Sequence, residues 1–231
     1  MASDKKNNKD QNIVENLNTH LTSAGEKVAN NKKIIYIAVG VVAVVAAFVL
    51  SYLFIFRNPR LENSWAAYEK VYIQQQKMEL ANDTAVAKAY SQVADQYGST
   101  DAGHAAALAA SLAFYNTGNY DAAIKYLDKA KFSEPTLKAQ AQTLLGDCYV
   151  NKKDYGKALG YFEDAIKTAD GNPELVPYVL MKEANVYDAQ KQYDKALGCY
   201  EQIKTDYPDY TFSNGLSIEY YIERVKALAG K

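Results

Sequence analysis

Residues 116–130 read NTGNYDAAIKYLDKA, residues 151–165 read NKKDYGKALGYFEDA, and residues 189–203 read AQKQYDKALGCYEQI. Laid over one another, they align Tyr120, Tyr155 and Tyr193, then Ala123, Ala158 and Ala196. The fourth members are Leu127, Phe162 and Tyr200, and the last are Ala130, Ala165 and Ile203. The tyrosines recur at steps of 35 and 38. Another helical pattern precedes each unit, over 105–115, 138–150 and 178–189. A period near 34 made of helix–turn–helix units predicts stacked helical hairpins.

The residue types fit such a stack. Where two helices cross closely the side chain must be small. Ser111, Gly146 and Ala184 fill that role in the first helices, and Ala123, Ala158 and Ala196 in the second. Large flat rings fill the gap within a pair, so Phe114, Tyr149 and Tyr187 are expected to face Tyr120, Tyr155 and Tyr193. One pair cannot bury its apolar face alone, so pairs stack. Twenty Tyr against seven Phe and one Trp are then core pieces of a helical repeat, not a ligand cage.

These residues resemble the tetratricopeptide repeat over about 104–208, with Pro135 and Pro208 at the repeat ends. Two places depart from the pattern. The Gly that often precedes the Asn/Asp-Tyr turn is Gly118 in the first repeat, but Lys153 and Lys191 in the others. The middle repeat ends in DGNP, with Asn172 a helix cap and Pro173 the first helical residue. Residues 61–98 are expected to form a degenerate pair stacked on the first repeat. Leu61, Trp65, Tyr68, Val71 and Tyr72 would share one side of its first helix, and Val86, Tyr90 and Val93 would mark its second. A last helix over 213–229, with Ile218, Tyr221, Ile222, Val225 and Leu228 on one side, should cap the exposed end of the stack.

Upstream, Ile34–Phe56 reads IIYIAVGVVAVVAAFVLSYLFIF and carries no charge. As a helix it covers roughly 35 Å, enough for a hydrocarbon core of about 30 Å. Tyr36, Tyr52 and Phe56 lie near its ends, where aromatic rings favour the interface, and Lys32, Lys33 and Arg57 close it. A buried core helix would be shorter and less uniformly apolar. A cleaved signal peptide has a shorter apolar core and a small-residue cleavage site, whereas FRNPRLENSW follows here. An uncleaved anchor is the expectation, giving a tail over 1–33, a transmembrane helix over 34–56 and one further domain over 57–231. Asn58 and Pro59 are expected to cap and begin the next helix. The whole is an all-α chain: one N-terminal transmembrane helix, then a tetratricopeptide-repeat solenoid with a C-terminal capping helix.

In the tail, Val14, Leu17, Leu21, Ala24 and Val28 form a heptad-like stripe. It reads as a short amphipathic helix that docks on a partner or a membrane surface, or simply leads into the anchor. Lys27, Lys32 and Lys33 before the span nearly balance Arg57 and Arg60 after it. Whole domains translocate largely regardless of charge, so an N-in, C-out orientation is expected. Ala43, Ala47 and Ser51 recur every fourth residue of the span, a spacing that admits close approach of another membrane helix. Alanine is common enough in apolar helices to produce the same spacing by chance.

Little in the chain carries chemistry. His20 and His104 are the only histidines and stand apart, so no metal cluster is expected. There is no phosphate-binding glycine loop and no nucleophile motif. A net charge of −1 leaves no nucleic-acid footprint. Cys148 and Cys199 lie on helices not expected to be neighbours, so a disulfide is not expected. The chain reads as a non-enzyme with no cofactor and no small-molecule substrate.

The tetratricopeptide resemblance implies a concave surface lined by the first helices. Here that surface is Ala105, Leu108, Leu112 and Tyr115, then Gln140, Thr143, Asp147, Val150 and Asn151, then Tyr178, Met181, Asn185 and Asp188. Its mixed character suits a peptide segment or partner helix, or a solvated inner face without a ligand. The Lys/Asn-rich carboxylate clamp of some tetratricopeptide domains is absent: Leu108, Leu112, Leu144 and Tyr178 occupy its places, and Lys182 alone is basic.

In layout the chain resembles the YfgM-like ancillary subunits of the bacterial Sec translocon, most closely over SQVADQYGSTDAGHAAALAASLAFYNTGNYDAAIKYL (91–127). That resemblance implies a single-pass inner-membrane protein with a cytoplasmic N-terminus and a periplasmic repeat domain. Its partners would be translocon subunits, emerging polypeptides and a periplasmic chaperone such as a PpiD-type foldase. The alternative is a structural scaffold for another envelope complex, working through fixed contacts or self-association.

Overall fold

The computed structural model describes residues 32–212 and 215–230. The tail with its Val14–Val28 stripe and His20 lies outside the described residues, as does Ser213. Among the described residues every regular element is helical. The chain divides into two compact units, Met1–Pro59 and Arg60–Lys231.

In the first unit, helix α1 spans Lys32–Ser51 and passes into a π-helical stretch at Tyr52–Arg57. Val41, Val45, Phe48 and Ile55 stand exposed along it, the surface a lipid environment would require. Among the described residues one helix, Val39–Gln76, is long and apolar enough to cross a membrane by length and composition. The cap expected at Asn58 does not form. Asn58 is helical at φ −63°, ψ −49°, and its N–H bonds back to the Leu53 carbonyl. Pro59 explains this, because proline lacks an N–H and its ring crowds the carbonyl four residues earlier. A wider π turn just before it absorbs that mismatch.

The second unit holds helices α2 Asn58–Gln76 (counted with it from Arg60), α3 Asp83–Tyr97, α4 Asp101–Asn116, α5 Tyr120–Leu127, α6 Pro135–Asn151, α7 Tyr155–Ala169, α8 Leu175–Ala189, α9 Tyr193–Asp206 and α10 Ile218–Ala229. Sequence neighbours pack on one another from α3 through α10, and α4 also meets α6 and α6 meets α8. This is the one-dimensional stacking expected of helical repeats. The degenerate pair is present: Tyr68 of α2 lies 5.5 Å from Tyr90 of α3, and the Tyr90 hydroxyl donates to Gln75 at 3.1 Å. Of the expected stripe, Val71 is buried and Leu61 and Tyr68 are half-buried, whereas Trp65 and Tyr72 remain exposed and Ser64 faces inward instead.

Each repeat makes the same turn. Gly118, Lys153 and Lys191 all take positive φ, at 77°, 61° and 58°. Their N–H groups bond to the carbonyls of Tyr115, Val150 and Asp188, and the next N–H in each turn bonds to Phe114, Tyr149 or Tyr187. That is the Schellman arrangement, which satisfies the last carbonyls of the first helix. The same residue then starts the second helix. Asn119 and Asp154 accept from Ala122 and Lys157 amides, whereas Gln192 makes no side-chain cap. Thr100 and Glu134 cap the first helices several residues earlier than the apolar pattern indicated. Asn172 accepts from the amides of Glu174 and Leu175, but α8 begins at Leu175 with Glu174 in the cap position, so Pro173 is not its first helical residue.

The ring pairing within hairpins differs from the expected one. Phe114 stacks on Tyr126 at 5.5 Å and Tyr149 on Tyr161 at 5.4 Å. Tyr120 instead meets Tyr115 edge-on at 5.6 Å. Tyr120 opens α5 beside Tyr115, and the ring six residues further on is the one that stacks on Phe114. The small-residue rule holds at the α6–α7 crossing. A methyl group on Gly146 would lie 2.3 Å from the fully buried Phe162 ring. At the other end of the stack, α10 buries Tyr221, Ile222 and Val225, with Tyr221 stacked on Tyr200 at 5.5 Å. It begins at Ile218 with Ser217 as cap, not at residue 213, and Leu228 stays exposed.

Candidate partner-binding groove

The first helices α4, α6 and α8 present one side to the core and the other to a shared groove of about 670 Å³. From α4 come Ala105, Leu108, Ala109, Leu112 and Tyr115. From α6 come Leu137, Gln140, Thr143, Leu144 and Asp147, and from α8 come Leu175, Tyr178 and Lys182. Tyr68 of α2 and Phe132 of the loop before α6 complete the wall. The size is that of pockets that hold ligands. Leu112, Leu137 and Tyr178 are 51%, 38% and 46% exposed, so apolar surface is left open along it.

Of the expected lining, Ala105, Leu108, Leu112, Tyr115, Gln140, Thr143, Asp147 and Tyr178 meet in this groove. Val150, Asn151, Met181, Asn185 and Asp188 do not line it. Asn151 is used internally: its amide nitrogen donates to the Tyr115 hydroxyl at 3.1 Å and the Asp147 carbonyl at 2.9 Å, and its oxygen accepts from Tyr120 at 3.1 Å. Asp188 pairs with Arg224 and so ties α8 to the capping helix. Asn185 is exposed and stands 3.5 Å from the Tyr200 hydroxyl. Thr143 is buried and turns its hydroxyl to the Ala139 carbonyl at 2.8 Å. Ala43, Ala47 and Ser51 lie exposed along α1.

The sequence reading does not single out Ala109, Phe132, Leu137 and Leu175, and Tyr68 is expected there only as a core residue of the degenerate pair, not in the groove. Phe132 and Leu137 flank Pro135, and helix α6 starting at that proline is the signal that would have placed them. Leu175 opens α8, and its amide bonds to the Asn172 side chain.

The polar end of the groove is an ion pair. Lys182 Nζ lies 2.9 Å from both carboxylate oxygens of Asp147, with side chains only 23% and 17% exposed. The same ammonium sits 4.8 Å from the centre of the Tyr178 ring. Burial pushes the Asp147 carboxyl up, against the opposing pull of Lys182. Burial alone would push the Lys182 ammonium down, but Asp147 holds it above its ordinary value. Elsewhere, burial pushes the Cys148 and Cys199 thiols up to about 12, and both are free. Such thiols are poor nucleophiles. Among the described residues no group of acidic, histidine or cysteine side chains is arranged to hold a metal ion.

The family model described as the tetratricopeptide repeat protein 21 N-terminal ARM repeat matches residues 64–228. The chain belongs to that family. No curated protein matches it. The ARM-repeat match takes in most of α2 and nearly all of the capping helix as well as the three central hairpins, so the helical-repeat reading applies to the second unit almost throughout. An ARM-repeat domain of this tetratricopeptide-like type is a protein-interaction module, because stacked repeats create extended concave surfaces.

Proposed function

We propose that this protein is a membrane-anchored binding module that holds polypeptide segments in the groove between α4, α6 and α8. The observation that carries the reading is the open apolar wall at Leu112, Leu137 and Tyr178, to which all three first helices contribute. Residues 34–56 serve as the anchor, with the tail over 1–33 cytoplasmic and residues 57–231 extracytoplasmic, in the inner membrane with the repeat domain in the periplasm. The resemblance in layout to YfgM-like subunits supports a place beside the Sec translocon. There the groove would meet emerging chains or a periplasmic chaperone, and the Ala43, Ala47 and Ser51 face would meet a translocon helix. The groove places at Val150, Asn151, Met181, Asn185 and Asp188 belong to this proposal as its outer rim.

The test is photocrosslinking in native membranes from Ala43, Leu112 and Met181, read by mass spectrometry. Adducts from Ala43 to translocon subunits, and from Leu112 and Met181 to emerging chains or a chaperone, are the expected result. Adducts to the chain itself or to another envelope complex would sink it in favour of a structural scaffold. The exposed Trp65, Tyr72 and Ile73 on α2 favour that second reading, since clustered apolar surface marks fixed contacts.

A further inference from the structure

Among the residues lining the groove, Asp147 and Lys182 alone carry charge, and each is committed to the other through two contacts of 2.9 Å. The first turn of α6 could also have attracted an anion. Its Thr136 and Leu137 amides are already bonded to the Glu134 carboxylate at 2.9 and 2.7 Å. The rest of the wall is largely hydrocarbon, from Leu108, Leu112, Phe132, Leu137 and Leu144. A charged guest side chain would lose its water against these leucines and meet no free counter-charge, an arrangement that is strongly unfavourable. An uncharged apolar side chain meets only complementary surface.

We propose that the Asp147–Lys182 pair sets the charge selectivity of the groove, which takes uncharged apolar segments of polypeptide and rejects segments carrying a charge at that seat. This rests on the reading of the groove as the partner-binding site. The pair acts by mutual closure. The two charges cancel, so a guest carboxylate gains little from Lys182 while Asp147 neutralises it, and a guest ammonium gains little from Asp147 while Lys182 covers it. Removing one member therefore leaves the other as a free charge facing the guest, and the preference should shift in opposite directions for the two removals.

The experiment uses the full chain in lipid nanodiscs and three capped, fluorescently labelled apolar peptides that differ only in a central Leu, Glu or Lys. Binding is read by anisotropy, and each variant is checked by circular dichroism melting. The wild-type chain is expected to prefer the Leu peptide about tenfold over both others, the factor that one unpaired charge contributes. Asp147→Asn should gain about tenfold for the Glu peptide, and Lys182→Gln should gain about tenfold for the Lys peptide. The double variant should keep the Leu preference. If one single variant does not fold, the wild-type ranking and the other variant decide. Equal binding of all three peptides by the wild type, or an unchanged ranking in the folded variants, overturns the selectivity and leaves partner binding intact. Binding of none of the three peptides by the wild type overturns the selectivity together with the groove reading.

Discussion

The two sides of the first helices behave differently from repeat to repeat. On the side facing the second helix, Ser111, Gly146 and Ala184 stay small and buried, and the rings of Phe114, Tyr149 and Tyr187 recur. On the opposite side, Leu108 gives way to Thr143 and Met181, and Leu112 to Asp147 and Asn185. The inward side obeys the packing of two helices, which is the same problem each time. The outward side has no such common constraint, and it is there that the open apolar wall and its ion pair are found. What repeats holds the fold, and what varies makes the groove.

The largest effects should come from adding an atom where first helices pack against their neighbours in the stack. A methyl at Gly103 would lie 1.9 Å from the Tyr97 carbonyl oxygen, a backbone atom with no freedom to rotate away. Gly103→Ala is expected to destabilise by about 3 kcal/mol or more, measured by thermal or denaturant unfolding. Gly146→Ala meets the Phe162 ring instead, and its gain in helix propensity offsets part of the clash, for a net loss of about 1–2 kcal/mol. Adding Phe162→Leu should recover stability, since the first repeat already pairs Ser111 with Leu127 at these places.

Glu183 sharpens the comparison by breaking it. Ala110 and Leu145 occupy the matching buried positions in the other repeats, yet Glu183 is a carboxyl only 7% exposed. Burial, then the charge of Glu163, raises it from 4.5 to about 7, while the Tyr187 hydroxyl opposes weakly. Cys199, whose thiol it pushes up in turn, is the group coupled to it from α9. Because the folded value is the higher one, its contribution to stability is fully present below pH 4.5 and is lost as pH rises through about 7. Glu183→Gln should therefore gain about 2–3 kcal/mol over the wild type at pH 8 and far less at pH 4.5, as unfolding at the two pH values would show.

Smaller effects are expected at the turns. Gly118 takes positive φ freely, whereas Lys153 and Lys191 hold the same conformation with a side chain. Lys153→Gly and Lys191→Gly should each stabilise by about 0.5–1 kcal/mol, and Gly118→Ala should destabilise by about 1 kcal/mol. Supplying the missing cap with Gln192→Asp should add a further gain of about 0.5–1 kcal/mol. Melting temperatures compared across the three turns would show whether they are as alike as their hydrogen bonds.

The fold was readable because the repeated side has a period, and because small and aromatic residues occur on it for steric reasons that hold in every repeat. Ring partners were harder. Tyr120 and Tyr126 are both aromatic second-helix residues, and only the turn geometry decides which reaches Phe114. The Asn58 cap was misjudged because the π turn that accommodates Pro59 leaves no mark in the apolar pattern. Eight of the thirteen expected groove positions line it, from Ala105 to Tyr178. Phe132, Leu137 and Tyr68 were not, because they come from a linker, an early helix turn and a degenerate hairpin outside the motif. The pairing of Lys182 with Asp147 joins residues from different repeats, and neither position belongs to the repeat signature.

The most direct measurement is binding of a capped apolar peptide to the full chain carrying Leu112→Asp, taken alongside its melting curve. The open side of α4 should tolerate this change within about 0.5 kcal/mol while binding is lost, in contrast to Gly146→Ala, which should melt early. Undiminished binding, or a melting loss like that of Gly146→Ala, would contradict the division between a repeated side that folds and a varied side that binds.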